Sequence, residues 1–163
     1  MTRIVRLFLL TALLAAGLAA GFRPAYASCG GVTNVATEAE LDAAIVDFNS
    51  QAAPCVYAIS FTTDITLTQG LTAVQNEEVL NSLTVNGNGY TLDGDFYDGL
   101  DIYGTIARVE DLTILRGDSP AMYIGSGSSA DAAVELSGVT LSESDTGLLV
   151  ADGNFGGNRA EVE

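Results

Sequence analysis

Short apolar runs separated by turn-forming residues recur along the chain from residue 58 onward. Four of them are triplets with threonine between two apolar residues, and they are centred on Thr66, Thr91, Thr113 and Thr140. Successive threonines are 25, 22 and 27 residues apart. Alternate residues of a strand point to opposite faces, so the apolar pair would face a core and the threonine would face solvent. The four threonines are therefore predicted to form a column on one outer wall.

Two further sets of short apolar runs accompany the triplets. One set precedes each triplet, at 58–61, 83–85, 106–109 and 134–136, and the other follows the last three, at 100–102, 122–124 and 148–150. Three short strands repeated with a period in the twenties are typical of a solenoid. We predict an all-β fold, a single-stranded parallel β-helix (β-solenoid) of about four coils in which strands pair between coils. A fifth coil would begin at 160–162.

An antiparallel β-sandwich is the alternative. The sequence Asn-Gly-Asn-Gly at 86–89 joins two apolar runs, which is a strong hairpin signal. However, the central threonine and the order of tight and longer turns both repeat, and hairpins require neither. We therefore expect 86–89 to be a corner between two walls of one coil.

A single sustained helical pattern covers residues 37–52. Its apolar stripe consists of Leu41, Ala44, Ile45 and Phe48. Thr37 is placed to cap the helix, Glu40 completes a capping box, and Pro54 follows the last turn. We expect residues 28–56 to form an N-terminal cap that covers one end of a β-helix spanning 57–163.

The first 27 residues are predicted to be a signal peptide. Arginines precede the apolar run LFLLTALLAAGLAAGF, and the small residues Ala25 and Ala27 suit a cleavage site. A membrane anchor is the alternative, although the run is short for a membrane span. Export implies a secreted, periplasmic or cell-surface protein.

Removal of the signal peptide would take Arg3, Arg6 and Arg23 and no acidic residue, so the net charge would change from −15 to −18. A surface of this charge repels nucleic acid and anionic lipid, so both are poor partners. It would attract divalent cations, although adaptation to a salty or calcium-rich exterior explains the charge equally well.

Cys29 and Cys55 are the two cysteines of the chain. An even number in an exported protein favours a disulfide, and this one would add about 3 kcal/mol by loop entropy. Lipidation of Cys29 is the alternative, but Tyr26 stands where a lipoprotein signal usually has an aliphatic residue.

Residues 58–117, which include AISFTTDITLT, LTVNGNGYTLDG, LDIYG and VEDLTILRG, resemble the first coils of right-handed parallel β-helix proteins of the pectin-lyase-like superfamily. The likeness is greatest to autotransporter passengers and polymorphic outer-membrane-type adhesins, which often begin with a capping helix. The resemblance implies right-handed coils and an adhesin-like role, although this architecture also hosts lyases, hydrolases and structural spikes. Passengers usually have many more coils, so we expect either a piece of a longer passenger or an open last coil that associates end to end.

Four acidic residues lie close together in the sequence LDGDFYDGLD: Asp93, Asp95, Asp98 and Asp101. Their oxygens suit calcium, which would be the one cofactor. The other interpretation is that aspartate is a favoured corner residue whose side chain caps turns. The spacing does not match an EF-hand, because aspartate stands where that loop needs glycine.

The sequence offers little catalytic chemistry. A polysaccharide lyase would need a basic residue beside a carboxylate-bound cation, and Arg108 and Arg116 are the candidates; a hydrolase would need paired carboxylates. The chain has no histidine to act near neutral pH. The threonine column could bind ice, but such a face needs a second column, and Asp93 and Leu115 interrupt it.

We therefore expect a non-enzymatic, exported β-helix module that binds an extracellular polysaccharide or a host or surface ligand as adhesins do. A polysaccharide lyase or hydrolase is the first alternative, and an ice-binding β-solenoid is the second. These predictions rest on the resemblance and on the residue types present, and neither identifies a ligand.

Overall fold

The computed structural model describes residues 29, 31–118, 120–151 and 159–162, the last range by its backbone alone. These residues form one helix, α1 (Glu38–Asn49), and a series of short strands. The strands are β1 (Gly31–Val35), β2 (Cys55–Phe61), β3 (Ile65–Thr66), β4 (Asn81–Asn86), β5 (Thr91–Asp93), β6 (Leu100–Tyr103), β7 (Ile106–Glu110), β8 (Thr113–Leu115), β9 (Met122–Gly125), β10 (Ala133–Ser137), β11 (Thr140–Ser142), β12 (Leu148–Ala151) and β13 (Arg159–Val162). The predicted signal peptide, residues 1–27, lies outside the described residues.

The strands form three parallel sheets, one for each wall of a β-solenoid of about five turns. The first wall has the order β1-β2-β4-β7-β10-β13, the second β11-β8-β5-β3, and the third β12-β9-β6. A single parallel bridge from Val74 to Ile102 extends the third wall into the first full coil. Because every pairing is parallel and joins different coils, the predicted β-helix is confirmed and the antiparallel sandwich is wrong.

The corner at 86–89 behaves as the repeat pattern predicts. Strands β4 and β5 on either side of it belong to different sheets and do not pair with each other. The N–H groups of Gly87 and Gly89 donate to the carbonyls of Glu110 and Asp111 in the next coil. Gly89 has φ +79°, whereas a Cβ on Gly87 would overlap the backbone of the next coil. The glycines thus serve both the turn and the close stacking of coils.

The N-terminal cap contains a strand that the sequence analysis missed. Strand β1 pairs with β2 as the first member of the largest sheet, although only Val35 in it is buried. Helix α1 follows β1 and buries the predicted stripe of Leu41, Ala44, Ile45 and Phe48. It ends at Asn49 rather than at 52, because Ser50 caps it with bonds to the preceding turn. The Glu40 N–H donates to the Thr37 hydroxyl at 3.3 Å, and the Glu40 carboxylate accepts from the Ala36 N–H, an arrangement close to the predicted capping box.

Helix α1 lies over the first full coil and binds it through side chains. Glu38 accepts from the backbone N–H groups of Thr68 and Gln69, and Asp42 accepts from that of Thr72. These donors follow β3, so the helix covers coil backbone that would otherwise lack partners. The predicted disulfide is present between Cys29 and the buried Cys55, with 5.3 Å between the Cα atoms, so the sulfur that lipidation would need is already bonded.

The core is a set of aliphatic columns that run along the solenoid. One column on the first wall consists of Ile59, Val85, Val109 and Leu136, which pair in register and are all at most 3% exposed. Fully burying such a side chain contributes about 1.5–3 kcal/mol. Toward the last coil the burial weakens, and Leu149 and Val150 are exposed. In the described part of the chain, no helix has both the length and the apolar character needed to cross a membrane.

Candidate functional site

The outward threonines form a column of three, not four. Thr91, Thr113 and Thr140 pair directly across β5, β8 and β11. Thr66 pairs instead with Asp93, which lies two residues beyond Thr91 in β5. The predicted column of four threonines is therefore wrong for Thr66. A shift of two residues keeps the same side chains inward, so inside–outside alternation cannot fix this register. The carboxylate of Asp64 takes the place beside Thr91 and accepts from its N–H at 2.8 Å.

Two of the four clustered acids bind an arginine. Arg116 donates to the carboxylates of Asp93 and Asp95, the latter at 3.0 Å. The guanidinium lowers the pKa of Asp93, mainly through this hydrogen bond, and Asp93 in turn raises the pKa of Arg116. Arg116 has φ +49° at the corner after β8, and this left-handed conformation places it over the preceding coil. These two carboxylates therefore already have a cation.

Of the other two acids, Asp101 lies on the third wall and Asp98 lies in the loop that precedes it. Asp101 points outward from β6 and is half-buried, and its carboxylate has no hydrogen-bond partner among the described residues. Burial, with a smaller contribution from the charge of Asp98, raises the pKa of Asp101 to about 6. Within the described ranges, no group of three or more His, Cys, Asp or Glu side chains is arranged to hold a metal ion. The calcium site at Asp93, Asp95, Asp98 and Asp101 stays a prediction.

The outer face of the first wall carries a shallow groove of about 420 Å³. Its lining is Ser82, Thr84, Ile106, Ala107, Arg108, Ala133, Val134 and Glu135. Arg108 points outward, as its place in β7 predicts, and pairs with Glu110 at 3.0 Å and Glu135 at 3.7 Å. This wall has the most strands of the three and contains the longest of them.

These contacts bear on catalysis. A lyase base must take up a proton, but Arg108 and Arg116 both donate to carboxylates, and the hydrogen bond to Asp93 raises the pKa of Arg116 further. Arg108 lies on the first wall and Arg116 at the corner between the second and third, so the two basic candidates do not converge on one site. Neither side chain is arranged as a general base.

Two features escaped the sequence analysis. Glu77 accepts hydrogen bonds from Ser128 and Ser129, which lie two coils away, and this holds its pKa at about 2. The rings of Tyr103 and Tyr123 contact each other on the third wall, with centroids 5.0 Å apart and planes inclined by 34°. Both features join residues 20 or more positions apart, and the tyrosines are diagonal rather than direct neighbours across β6 and β9, so the sequence repeat gave no signal for either contact.

The comparisons with known proteins agree with the fold. Residues 32–148 match the family described as "Putative pectate lyase-like adhesive domain". The search of curated proteins and the search of solved structures returned no match. The matched region begins in β1 and ends at the first residue of β12, so it covers the capping helix and the stacked coils described above. The chain belongs to the pectate lyase-like adhesive domain family.

Proposed function

We propose that this chain is a non-enzymatic, exported module that attaches to surface ligands in the manner of an adhesin. The match to an adhesive family over residues 32–148 is the observation that carries the proposal. The disulfide between Cys29 and Cys55 supports an extracellular or surface location, because such bonds persist in oxidising compartments. Secretion through the predicted signal peptide is part of the proposal.

The solenoid suits attachment because it is a rigid rod with regular outer walls. Backbone hydrogen bonds between coils fix the spacing of outward side chains, so a repeating ligand such as a polysaccharide would meet a repeating surface. The groove around Arg108 on the first wall is the broad contact surface that we propose. Arg108 is the one cation there among the described side chains, and its planar guanidinium can bind hydroxyl or carboxylate oxygens.

The lyase alternative is weaker on this structure. Arg108 and Arg116 are engaged by carboxylates and lie on different parts of the surface. We therefore expect the chain to bind ligands without cleaving them. The ice-binding alternative is also weaker, because the aligned column has three threonines and its neighbouring positions hold Asp93, Leu115 and Ser142.

The test uses residues 28–163, the proposed mature chain with its disulfide. The chain would be immobilised on beads and measured for retention on extracellular-matrix proteins, bacterial and host cell surfaces and a glycan array. Polysaccharide cleavage would be followed in parallel by new reducing ends and by the ultraviolet absorbance of unsaturated uronates. Saturable binding to at least one surface without cleavage supports the proposal. Turnover of any polysaccharide, or the absence of binding to all of these surfaces, contradicts it.

A matched pair of variants locates the contact surface. Arg108→Gln removes the cation of the first-wall groove, whereas Arg116→Gln removes the same charge from the corner between the other two walls. If the groove is the contact surface, Arg108→Gln should weaken retention about tenfold, the loss of one charge-assisted hydrogen bond. Arg116→Gln should leave retention unchanged. Equal effects of the two variants would place the contact elsewhere.

A further inference from the structure

The third wall carries an aromatic surface that the groove on the first wall does not include. Tyr103 points outward from β6 and Tyr123 points outward from β9, and both are half-buried. Their rings contact each other, with centroids 5.0 Å apart and planes inclined by 34°, and together they form one aromatic surface that we call the shelf. Neither hydroxyl has a hydrogen-bond partner in the described part of the chain.

The position of the shelf depends on a glycine. In the register of β6 and β9, Gly125 lies beside Tyr103, and Asp101 lies beside Tyr123. The ring of Tyr123 covers Gly125, so that a Cβ added there would overlap the ring. Gly125 has no positive φ to explain its presence. The absence of a side chain is instead what allows the Tyr123 ring to lie over Gly125 and contact the Tyr103 ring.

A carboxylate with unused acceptor capacity borders the shelf. Asp101 neighbours Tyr123 directly across the strands, is half-buried, and accepts no hydrogen bond from the described residues. A half-buried charged acceptor without a partner is unfavourable in the free protein. The pKa of Asp101 is raised, mainly by this burial. A ligand that donates hydrogen bonds to the carboxylate would offset part of the free-energy cost of burying its charge.

We propose that Tyr103, Tyr123 and Asp101 form a binding site for a neutral saccharide. The sugar's apolar C–H face packs on the tyrosine rings, and adjacent hydroxyls donate to the Asp101 carboxylate. This deepens the proposed function, on which it rests, by naming a ligand class and a second surface. Aromatic rings that supply area and a few polar groups that fix orientation are the general composition of small-ligand sites.

The local charge selects a neutral sugar over an acidic one. Burial raises the pKa of both Asp101 and Tyr103, and the nearby negative charge of Asp98 adds a smaller increase to each. The nearest arginine in the chain sequence, Arg108, is paired with glutamates on the first wall, and Arg116 is paired with Asp93 and Asp95. A uronate would therefore meet uncompensated negative charge here. We expect oligogalacturonate to bind this shelf at least about tenfold more weakly than neutral oligosaccharides, the effect of a single like-charge contact.

The test is a titration of the disulfide-bonded chain 28–163 with gluco-, galacto- and manno-oligosaccharides and with oligogalacturonate, followed by amide chemical shifts in NMR spectra. The expected result is saturable perturbation centred on Tyr103, Tyr123 and Gly125 by at least one neutral series. Binding that requires calcium and is abolished by EDTA would overturn direct recognition by Asp101. Perturbation centred on the first-wall groove alone would also overturn the proposal.

Variants separate a binding role from a structural one. Gly125→Ala displaces the Tyr123 ring without removing an aromatic group, and Asp101→Asn removes the charged acceptor but keeps the size; each should weaken binding about tenfold or more. Tyr103→Phe keeps the ring face and should bind as the wild type does, whereas Tyr103→Ala should not bind. Thermal unfolding identifies any variant that fails to fold, and Asp101→Asn, which we expect to be more stable than the wild type at pH 7, then remains the informative comparison.

The outcomes also separate this proposal from the proposed function. If the wild type adheres to surfaces but the Gly125, Asp101 and Tyr103 variants adhere and bind sugars equally well, the shelf proposal fails and the adhesive function stands. If the wild type adheres to surfaces without binding neutral sugars, the shelf proposal fails in the same way. If the wild type binds no surface and no glycan, both proposals fail.

Discussion

The backbone N–H of Ser129 donates to Glu77 Oε2 at 2.7 Å, across 52 residues of sequence. The two residues lie in loops that follow the third wall, in coils that are not adjacent. Between them the intervening coil turns with only Gly104 and Thr105 outside its strands, and Gly104 has φ +54°. Its short corner lets the longer loops meet above it. The Glu77 carboxylate therefore fastens one coil to the next but one, in addition to the sheet hydrogen bonds.

Glu77→Gln should destabilise the fold. The carboxylate accepts from the N–H groups and hydroxyls of Ser128 and Ser129, and an amide can replace only part of this set. We expect the free energy of unfolding at pH 7 to fall by about 1 kcal/mol, because the site is partly open to solvent. Urea unfolding measures this. The neighbouring Glu78→Gln is the control, since its exposed side chain makes no described hydrogen bond, and an equal loss there would contradict the prediction.

The same contact predicts a dependence of stability on pH. The Ser129 hydroxyl, followed by the Ser128 N–H, lowers the pKa of Glu77 from 4.5 to about 2. Because the folded pKa is the lower one, this stabilisation is complete above pH 4.5 and is lost as the pH falls from 4.5 toward 2. The stability difference between the wild type and Glu77→Gln should shrink over that interval. A difference that stays constant from pH 7 to pH 2 would argue against it.

The contribution of Asp101 to stability should depend on pH in the opposite direction to that of Glu77. Burial and the Asp98 charge raise its pKa from 3.8 to about 6, so the folded state binds the proton more tightly. The folded state then loses stability as the pH rises from 3.8 to about 6, and the full penalty remains above that. Asp101→Asn should be more stable than the wild type at pH 7 by about 1 kcal/mol, and this gain should disappear near pH 4. Thermal melts across this pH range measure both, and a less stable Asp101→Asn at pH 7 would contradict the assignment.

Asn76→Ala should be the most damaging of these substitutions. The buried Asn76 amide donates to the carbonyls of Phe48 and Gln51 at the end of α1, and its N–H donates to the buried Thr105 hydroxyl. Alanine would remove these two side-chain bonds and the one that Asn81 Nδ2 donates to Asn76 Oδ1, at a cost of about 2–4 kcal/mol, although Phe48 and Gln51 each keep one other donor to the carbonyl. The exposed Asn34→Ala on β1 is the matched control and should cost less than about 0.5 kcal/mol. Denaturant unfolding compares the two, and similar losses would show that the amide is not holding the helix.

Arg116→Gln tests the predicted calcium site. Arg116 is the cation already bound to Asp93 and Asp95, so its removal should leave two carboxylates close together and free to bind a divalent ion. We expect calcium affinity, measured by calorimetry, to increase at least about tenfold over the wild type. Arg108→Gln, on the first wall, should leave it unchanged. No increase for Arg116→Gln would remove the support for a calcium site among these acids.

The alternation of apolar and polar residues was sufficient to predict the solenoid. The runs at 83–85, 106–109 and 134–136 fall inside β4, β7 and β10, because an inward position must be apolar in every coil to stack on the one below. The same reasoning located α1 from its apolar stripe. It missed β1, because that strand has the helix on one side and solvent on the other and buries only Val35.

Only the tertiary structure determined which residues of different coils are neighbours. Thr66 lies on the outward face, as predicted, but it is two residues out of register with Thr91. Alternation does not detect such an offset, because it leaves the same side chains outward, and the hydrogen bond from the Thr91 N–H to Asp64 accompanies it. Four aspartates that are close in sequence separate into two groups, because a corner lies between them: Asp93 and Asp95 bind Arg116, whereas Asp98 and Asp101 lie at and before the third wall. Tyr103 and Tyr123, and likewise Glu77 and Ser129, meet through the stacking of coils. Sequence pattern thus determines which face of a strand a residue occupies, whereas loop lengths and coil register determine its neighbours, since these depend on contacts distant along the chain.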